Sequence, residues 1–514
     1  MPLPDGTATV QTPSHRPHQP HIHVEDKGLK RNAIGFVSSV VIGVASTAPG
    51  YSLAASLGFI AAVVGIGLQS PAILLVAFIP MAMIAAAYYY LNRADPDCGT
   101  TFSWVGKALG PWAGWIGGWA IIVADIIVMA TLAQIAGKYT FLLFDWDSAA
   151  NSTAAVTALG VLWIVLMTAI CYIGIELSAR TQVVLLSFEI VTLALFAIVA
   201  LVKVAAGDAA ATSVDPSISW LNPFAVGSFS ALTSGVLIAI FIYWGWDSAV
   251  TVNEETEGSN KTPGKAAVVS TVLLLLIYVI VAVAAQAFVG TDALVKNQDD
   301  VLSFLGTQVF GSPLDKILVI AVLTSAAAST QTTILPTART TLSMARAGAL
   351  PRSLGTVSPR YMTPTVSTLL MGLFSVLWYV GLTIVSENIL FDSISALGLM
   401  IAFYYGLTGY ACVVYVVYYR HQLLTNVKTF VLVGVLPLLG ALILTGVFIK
   451  SCVDLSDPAN SASGDSWFGI GPPLIIGIGF LIFGAILMVI WYLTGHRAFF
   501  RRKTETAHAD ALTA

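Results

Sequence analysis

Long apolar segments, separated by short polar loops, recur along this chain from residue 34 to residue 495. Runs of about 20 apolar residues can cross the hydrocarbon core of a bilayer as helices. We therefore expect an all-α integral membrane protein with about twelve transmembrane helices. The predicted spans lie near residues 34–63, 70–91, 112–142, 155–177, 180–204, 229–253, 266–289, 314–348, 365–385, 391–418, 429–450 and 472–495.

Two of these spans, the first and the sixth, are interrupted near their middles by small and helix-breaking residues. The hydrocarbon core holds no water, so irregular backbone there must face protein or a cavity. Paired interruptions in corresponding spans point to the substrate site of a transporter. We therefore predict that both interruptions bind substrate. Their residues are Ser46, Thr47, Ala48, Pro49 and Gly50 in the first span and Tyr243, Trp244, Gly245, Trp246 and Asp247 in the sixth.

The positive residues predict the orientation of the spans. With the N-terminus inside, 19 of the 24 Lys and Arg residues fall on the cytosolic side. Such a bias predicts a multi-pass protein of the plasma (inner) membrane with both termini in the cytosol. The first span then starts inside and the sixth outside, so residues 34–204 and 229–418 form a five-plus-five inverted repeat. Two extra helices follow at 429–495.

Composition narrows the class of protein. The chain is 57% apolar and 10% charged, whereas soluble domains carry about 25% charged residues. We expect a disordered cytosolic tail at residues 1–33 and a cytosolic tail at residues 496–514, on either side of one transmembrane domain at 34–495. The four cysteines are far apart and no His lies within a span. We therefore expect no metal, no cofactor and no enzyme activity, and no basic patch predicts a nucleic-acid partner.

Four motifs carry a family resemblance. In chain order they are residues 92–104 (NRADPDCGTTFSW), 109–119 (LGPWAGWIGGW), 253–256 (NEET) with Pro263, and 338–351 (ARTTLSMARAGALP). From about Gly35 to Leu493 the chain resembles the amino acid–polyamine–organocation (APC) superfamily of permeases. The resemblance implies the leucine-transporter-like fold and transport of amino acids or organic amines.

The chain departs from the family pattern at two places. Family members often carry Gly-x-Gly in the break of span 1, where this chain has Thr47 to Gly50. Pro and Gly still interrupt a helix, so the break is retained. Many members carry a Lys midway along span 5, often proposed as the proton-coupling group. The best-matching residue here is Glu189, so the coupling mechanism of the family does not transfer directly.

Three carboxylates lie within predicted spans, namely Asp125, Glu189 and Asp247. An ionised group there costs about 2.5–3.5 kcal/mol on insertion scales, so such groups usually face the protein interior and act in function. We assign Asp125 to the amine of the substrate and Glu189 to coupling. The alternative for each is a neutral carboxylic acid that is hydrogen-bonded between helices.

Polar residues elsewhere suggest two further roles. Ser325 and Ser329, one helical turn apart, are candidates for a cation site that faces span 1. Hydroxyls in membrane helices also bond to their own backbone, which is the alternative for both. After span 6, Glu254 and Glu255 are candidates for an inner gate. Their alternative is a solvated loop that contacts nearby lysines.

These features favour a secondary active permease for amino acids or related organic amines that works by alternating access. We expect proton symport, with sodium as the alternative coupling ion. The alternatives in function are an exchanger, a polyamine importer, and a receptor or sensor of amines that does not transport them. The expected partners are the small-molecule substrate, the coupling ion and the lipid bilayer, and no obligate protein partner is evident.

Overall fold

The computed structural model describes residues 26–385, 389–418, 426–461 and 463–502, and within these ranges the secondary structure is helical without β-strands. Eleven segments of the described chain are long and apolar enough to cross a membrane. They correspond to eleven of the twelve predicted spans. The remaining one, the sixth, is divided into two shorter helices. The multi-pass helical class is therefore confirmed.

The first repeat contains the spans that come before residue 207. Its helices are α1 (Phe36–Ser46), α2 (Pro49–Ala62), α3 (Ser70–Ala94), α4 (Thr101–Leu109), α5 (Pro111–Leu143), α6 (Asp147–Ala150), α7 (Thr153–Ile173) and α8 (Ile175–Ala206). The short helix α4 occupies the part of the loop after span 2 that the sequence did not predict to be helical.

The second repeat and the extra helices complete the bundle. The helices are α9 (Phe229–Ile242), α10 (Ser248–Thr251), α11 (Thr262–Val289), α12 (Thr291–Lys296), α13 (Val301–Phe310), α14 (Lys316–Arg346), α15 (Thr365–Val385), α16 (Ile389–Tyr418), α17 (Val427–Asp454), α18 (Pro472–Leu493) and α19 (Arg497–Phe500). The spans α7, α8, α11 and α15 carry many exposed apolar side chains, as expected of a surface that faces lipid.

Both predicted interruptions are real breaks in the helical backbone. Between α1 and α2, Ala48 adopts the left-handed conformation (φ 48°) and Pro49 lacks an N–H. Between α9 and α10, Gly245 has φ 115°, a conformation that favours glycine. The helix therefore stops at Ser46 and Ile242 and starts again three and six residues later, at Pro49 and Ser248.

The packing of the spans follows the inverted repeat. The helix α3 packs against α11, α5 against α14, and α7 against α15. Each of these pairs joins the same position of the two repeats, as a twofold axis in the membrane plane requires. The two broken spans lie in contact between them, with α1 against α10 and α2 against α9. The predicted five-plus-five architecture is present.

Both predicted tails have ends that pack on the transmembrane domain. In the segment 26–33, Lys27 is buried and makes ion pairs. Leu29 is also buried and packs in an apolar cluster. At the other end, the ring of Phe500 lies 4.3 Å from that of Trp112. Residues 1–25 and 503–514 of the predicted tails lie outside the described residues.

The two ends of the bundle differ in their loops. We call the end that holds residues 26–35, 95–110, 253–261 and 347–364 the basic face. The opposite end, with residues 63–69, 207–228 and 455–461, is the far face. The sequence predicts that the basic face is cytosolic.

Candidate functional site

The two backbone breaks touch each other at Gly245 and Ser46. A Cβ atom on Gly245 would lie 2.7 Å from the carbonyl oxygen of Ser46, so only glycine permits this approach. The hydroxyls of Ser46 and Ser248 lie 2.8 Å apart across the same contact. Ser329 of α14 donates a hydrogen bond to the Ser46 carbonyl (2.9 Å). The broken backbone of α1 is thus held by α10 and α14.

The N-terminus of α2 is occupied by a carboxylate of the protein itself. The Gly50 N–H donates to Glu189 Oε1 over 2.7 Å, and the Ser325 hydroxyl donates to the same oxygen over 2.8 Å. The Tyr51 N–H donates to Ser325 Oγ (3.0 Å). The first turn of a helix offers unpaired N–H groups and a positive dipole end. Here Glu189 and Ser325 take up the donors that an anionic group of a substrate could otherwise use.

The sixth span contributes aromatic rings and a carboxylate. Tyr405 donates to Asp247 Oδ1 over 2.9 Å and Tyr404 to Asp247 Oδ2 over 3.2 Å, while the Trp244 indole N–H donates to the Tyr404 hydroxyl. The ring of Trp246 lies 5.2 Å from that of Tyr405. Together with Tyr88, whose ring lies 5.1 Å from Trp246, we call these residues the aromatic–acid cluster.

Asp125 of α5 lies beside the aromatic–acid cluster. It accepts a hydrogen bond from the Thr337 hydroxyl of α14, and it is close enough to Asp247 for their charges to interact. Asp125, Glu189 and Asp247 are all buried, with at most 5% of each side chain exposed. Within the described part of the chain, none of the three makes an ion pair.

Two of the predicted site residues lie apart from these groups. The Tyr243 ring packs between Phe78 of α3 and Tyr278 of α11, at centroid distances of 5.9 and 5.2 Å. The Thr47 hydroxyl donates to the Val44 carbonyl of its own helix (2.6 Å). Both residues support the breaks, and neither belongs to the aromatic–acid cluster.

The basic face is closed by buried ion pairs that involve both predicted gate residues. Arg339 of α14 contacts both carboxylate oxygens of Glu255, over 2.6 and 2.8 Å. Lys27 lies 2.6 Å from Glu254 and 2.9 Å from Asp97. These contacts join the N-terminal segment, the α3–α4 loop, the α10–α11 loop and α14. The two acids therefore do not lie in a solvated loop.

The charges of this closure stabilise one another. Burial by itself lowers the pKa of Lys27, but the acidic groups of Cys98, Asp97 and Glu254 outweigh it and hold that pKa above its usual value. Burial likewise raises the pKa of Asp97, but Lys27 and Lys107 outweigh it and hold that pKa below its usual value. Both groups are therefore charged at neutral pH.

The far face contains a cavity of about 700 Å³. Its walls come from α2, α9, α16 and the end of α17 with the following loop. Ala55 and Leu237 of its lining are buried, whereas Asn460 is exposed. The far-face halves of both broken spans therefore line a cavity, while ion pairs join the loops of the basic face.

Several residues of the site were not predicted from the sequence. Tyr404 and Tyr405 stand next to each other in span 10, but their pairing with Asp247 depends on how α16 packs. Lys27, Asp97 and Arg339 are the unpredicted partners at the basic face. Asp97 and Arg339 lie within two of the quoted family motifs, and those motifs were the sequence signal that could have indicated them as site residues. Lys27 lies in a segment that was predicted to be a tail.

Comparison with known proteins identifies the family. A family model described as amino acid permease matches residues 32–481. The chain belongs to the amino acid permease family. It is 29% identical over 343 residues to an uncharacterized transporter of Mycobacterium tuberculosis, a match that covers 66% of this chain and 72% of that protein. It is also 23% identical over 302 residues to the branched-chain amino acid permease BcaP of Lactococcus lactis, covering 56% of this chain and 63% of BcaP.

The fold also matches a solved structure. The crystal structure of MhsT in complex with L-phenylalanine has a TM-score of 0.55 to this permease at 17% identity. The match covers 80% of this chain and 98% of MhsT. It shows that the permease has the leucine-transporter-like fold, as the sequence motifs implied.

Proposed function

We propose that this permease is a secondary active transporter that moves an amino acid or a related organic amine across the plasma (inner) membrane by alternating access. The observation that carries the proposal is the contact of the two backbone breaks beneath the far-face cavity. Broken helices at the interface of inverted repeats expose polar backbone where a substrate can bind. Family membership and the transporter relatives support the same class of function.

The two faces support an alternating cycle. The far-face cavity is lined by the halves of the broken spans that lead to the breaks, and it reaches Ala55 and Leu237. On the other side, the ion pairs of Glu254 and Glu255 join the loops of the basic face. We assign these ion pairs to the inner gate, with the basic face in the cytosol. Opening this gate requires that Lys27 and Arg339 separate from their acids.

We assign proton coupling to Glu189. One of its oxygens accepts two hydrogen bonds at the α2 N-terminus, while Oε2 is buried and has no hydrogen-bond partner. A proton on Oε2 would neutralise the Glu189 carboxylate at the oxygen that has no hydrogen-bond partner. Sodium is the alternative, and it would use the hydroxyls of Ser325 and Ser329.

The test uses purified permease in liposomes loaded with unlabelled substrate. A panel of labelled amino acids and amines is supplied outside, with and without proton and sodium gradients. We expect proton-driven accumulation in the unchanged protein. In Glu189→Gln we expect accumulation to fall at least tenfold, because Gln carries no exchangeable charge, while exchange of labelled for unlabelled substrate continues.

Glu176→Gln is the matched control, because Glu176 lies on the same helix but is exposed and pairs with Lys30 at the surface. We expect it to keep normal accumulation. Full proton-driven accumulation by Glu189→Gln, or accumulation that follows only a sodium gradient, would contradict the coupling role of Glu189. Exchange without accumulation in the unchanged protein would identify an exchanger, and binding without transport would identify a sensor.

A further inference from the structure

We propose that the substrate of this permease is an organic amine that lacks a carboxylate, rather than an amino acid. The inference rests on the proposed transport function and names its substrate class. It follows from two features of the site. The anion position at the first break is already filled by the protein, and Asp247 of the second break and the nearby Asp125 make no ion pair within the described part of the chain.

The backbone donors of the first break all have acceptors. The N–H groups of Thr47 and Ala48 donate to carbonyl oxygens of α1, and the N–H of Ser52 donates to the Ala48 carbonyl. Pro49 has no N–H, and the remaining two donors, on Gly50 and Tyr51, are held by Glu189 and Ser325. A helix N-terminus is a natural site for a carboxylate. In this protein the carboxylate that occupies it is that of Glu189.

Displacement of Glu189 by a substrate carboxylate is unfavourable. Glu189 is fully buried, and its second oxygen already lacks a partner. If a substrate took the Gly50 N–H, the Glu189 carboxylate would lose a charge-assisted hydrogen bond in a low-dielectric interior. The site would then hold two carboxylates in place of one.

The acids near the second break favour a positively charged ligand. Asp125 and Asp247 are buried acids that lie near each other, and a buried carboxylate is costly unless a positive partner offsets its desolvation. The buried cations of the described chain are Lys27 and Arg339, and both are already paired with acids at the basic face. A bound cation between the two aspartates would therefore stabilise both.

The groups around Asp247 suit an ammonium. Each oxygen of Asp247 accepts one tyrosine hydroxyl, which leaves each with capacity for a further donor. The rings of Trp246, Tyr88 and Tyr405 pack against one another next to the acid, and aromatic faces attract organic cations. An amine could thus contact the Asp247 carboxylate and the aromatic rings. The carboxylate of an amino acid, in contrast, would find no free N–H donor at the first break.

Matched pairs of compounds test the inference. Proteoliposomes that contain the unchanged permease are assayed by counterflow with amines and with the amino acids that yield them on decarboxylation: putrescine and ornithine, cadaverine and lysine, tyramine and tyrosine, isobutylamine and valine. We expect at least one amine to exchange at least tenfold faster than its parent amino acid. Equal exchange of both members, or exchange of the amino acids alone, would overturn the inference and leave the transport function standing. No exchange of any compound would overturn both.

Two variants identify the residues responsible. Glu189→Ala frees the Gly50 N–H, so we expect the ratio of the amine exchange rate to that of its parent amino acid to fall at least tenfold. Glu189→Gln retains an acceptor for this N–H, so we expect this ratio to stay unchanged. Asp247→Asn removes a charge at the second break and should lower amine exchange at least tenfold. If Glu189→Ala does not fold, the Asp247→Asn result decides. An unchanged preference in Glu189→Ala, or unchanged amine exchange in Asp247→Asn, would overturn the assignment.

Discussion

At the scale of single residues, the first break shows how a permease can do without the glycine pair of its family. Ala48 adopts a left-handed conformation, which costs a non-glycine residue about 1–2 kcal/mol. The hydrogen bonds from Gly50 to Glu189 and from Ser329 to Ser46 hold the backbone around it. The break is therefore maintained by contacts from α8 and α14 and not by its own sequence alone.

Gly245 offers a direct test of the contact between the breaks. In Gly245→Ala the new methyl group would meet the Ser46 carbonyl at 2.7 Å, in a backbone conformation that alanine disfavours. Overpacking of this kind costs about 1–3 kcal/mol. We expect substrate uptake to fall at least tenfold, together with a lower melting temperature in detergent.

Gly381→Ala is the matched control for this substitution. Gly381 lies in α15, and a Cβ atom there would meet no atom within 4 Å. We expect unchanged uptake and an equal or higher melting temperature, because alanine favours a helix by about 1 kcal/mol over glycine. Normal uptake by Gly245→Ala would show that close approach of the two breaks is not needed for transport.

At the scale of elements, the N-terminal segment acts as part of the closure of the basic face. Lys27 is the cation between two acids that come from different loops. Removing one partner of a buried ion pair leaves the other charges uncompensated, which costs several kcal/mol where burial is complete. The closure depends on this segment as much as on the pair of Glu255 and Arg339.

We expect Lys27→Gln to open the basic face more often. Cys98 lies behind this closure, fully buried, with its N–H bonded to Glu254, so its alkylation by a maleimide reports opening. We expect its alkylation rate to rise at least tenfold, equivalent to about 1.4 kcal/mol. The control is Lys30→Gln, since Lys30 and its partner Glu176 are exposed. Equal Cys98 rates in both variants would contradict the role of Lys27.

The ion pairs also predict how closure depends on pH. The raised pKa of Lys27 means that its contribution is complete below the unfolded value of about 10.4 and is lost as pH rises through the folded pKa. The lowered pKa of Asp97 means that its contribution is present above about 3.9 and is lost as pH falls through the folded pKa. The contributions of both groups therefore persist from about pH 5 to pH 9.

We expect the ratio of Cys98 alkylation rates between Lys27→Gln and the unchanged protein to stay constant across pH 6–9. The ratio cancels the reactivity of the thiol itself, because both proteins react from the open form. A ratio that falls steeply within this window would show that another group titrates with the closure.

At the scale of the whole molecule, the fold was predictable and the pairing of side chains was only partly so. Apolar runs and the positive bias located the spans, because helix length and bilayer thickness constrain each other. The breaks were visible because Pro49 and Gly245 disturb a helix wherever they lie. The partners of Asp247, Asp125 and Glu189 come from distant spans, and sequence spacing carries no information on how those helices pack.

The central claim is that the two breaks together form the substrate site, and a structure of the permease with a transported compound tests it most directly. The compound would be the one that the counterflow panel exchanges fastest, bound to the full chain in lipid nanodiscs and imaged by cryo-electron microscopy. We expect its density between Ser46–Gly50 and Tyr243–Asp247, with the amine at Asp125 or Asp247 and Glu189 still on the Gly50 N–H. Density confined to a position that contacts neither break would contradict the account.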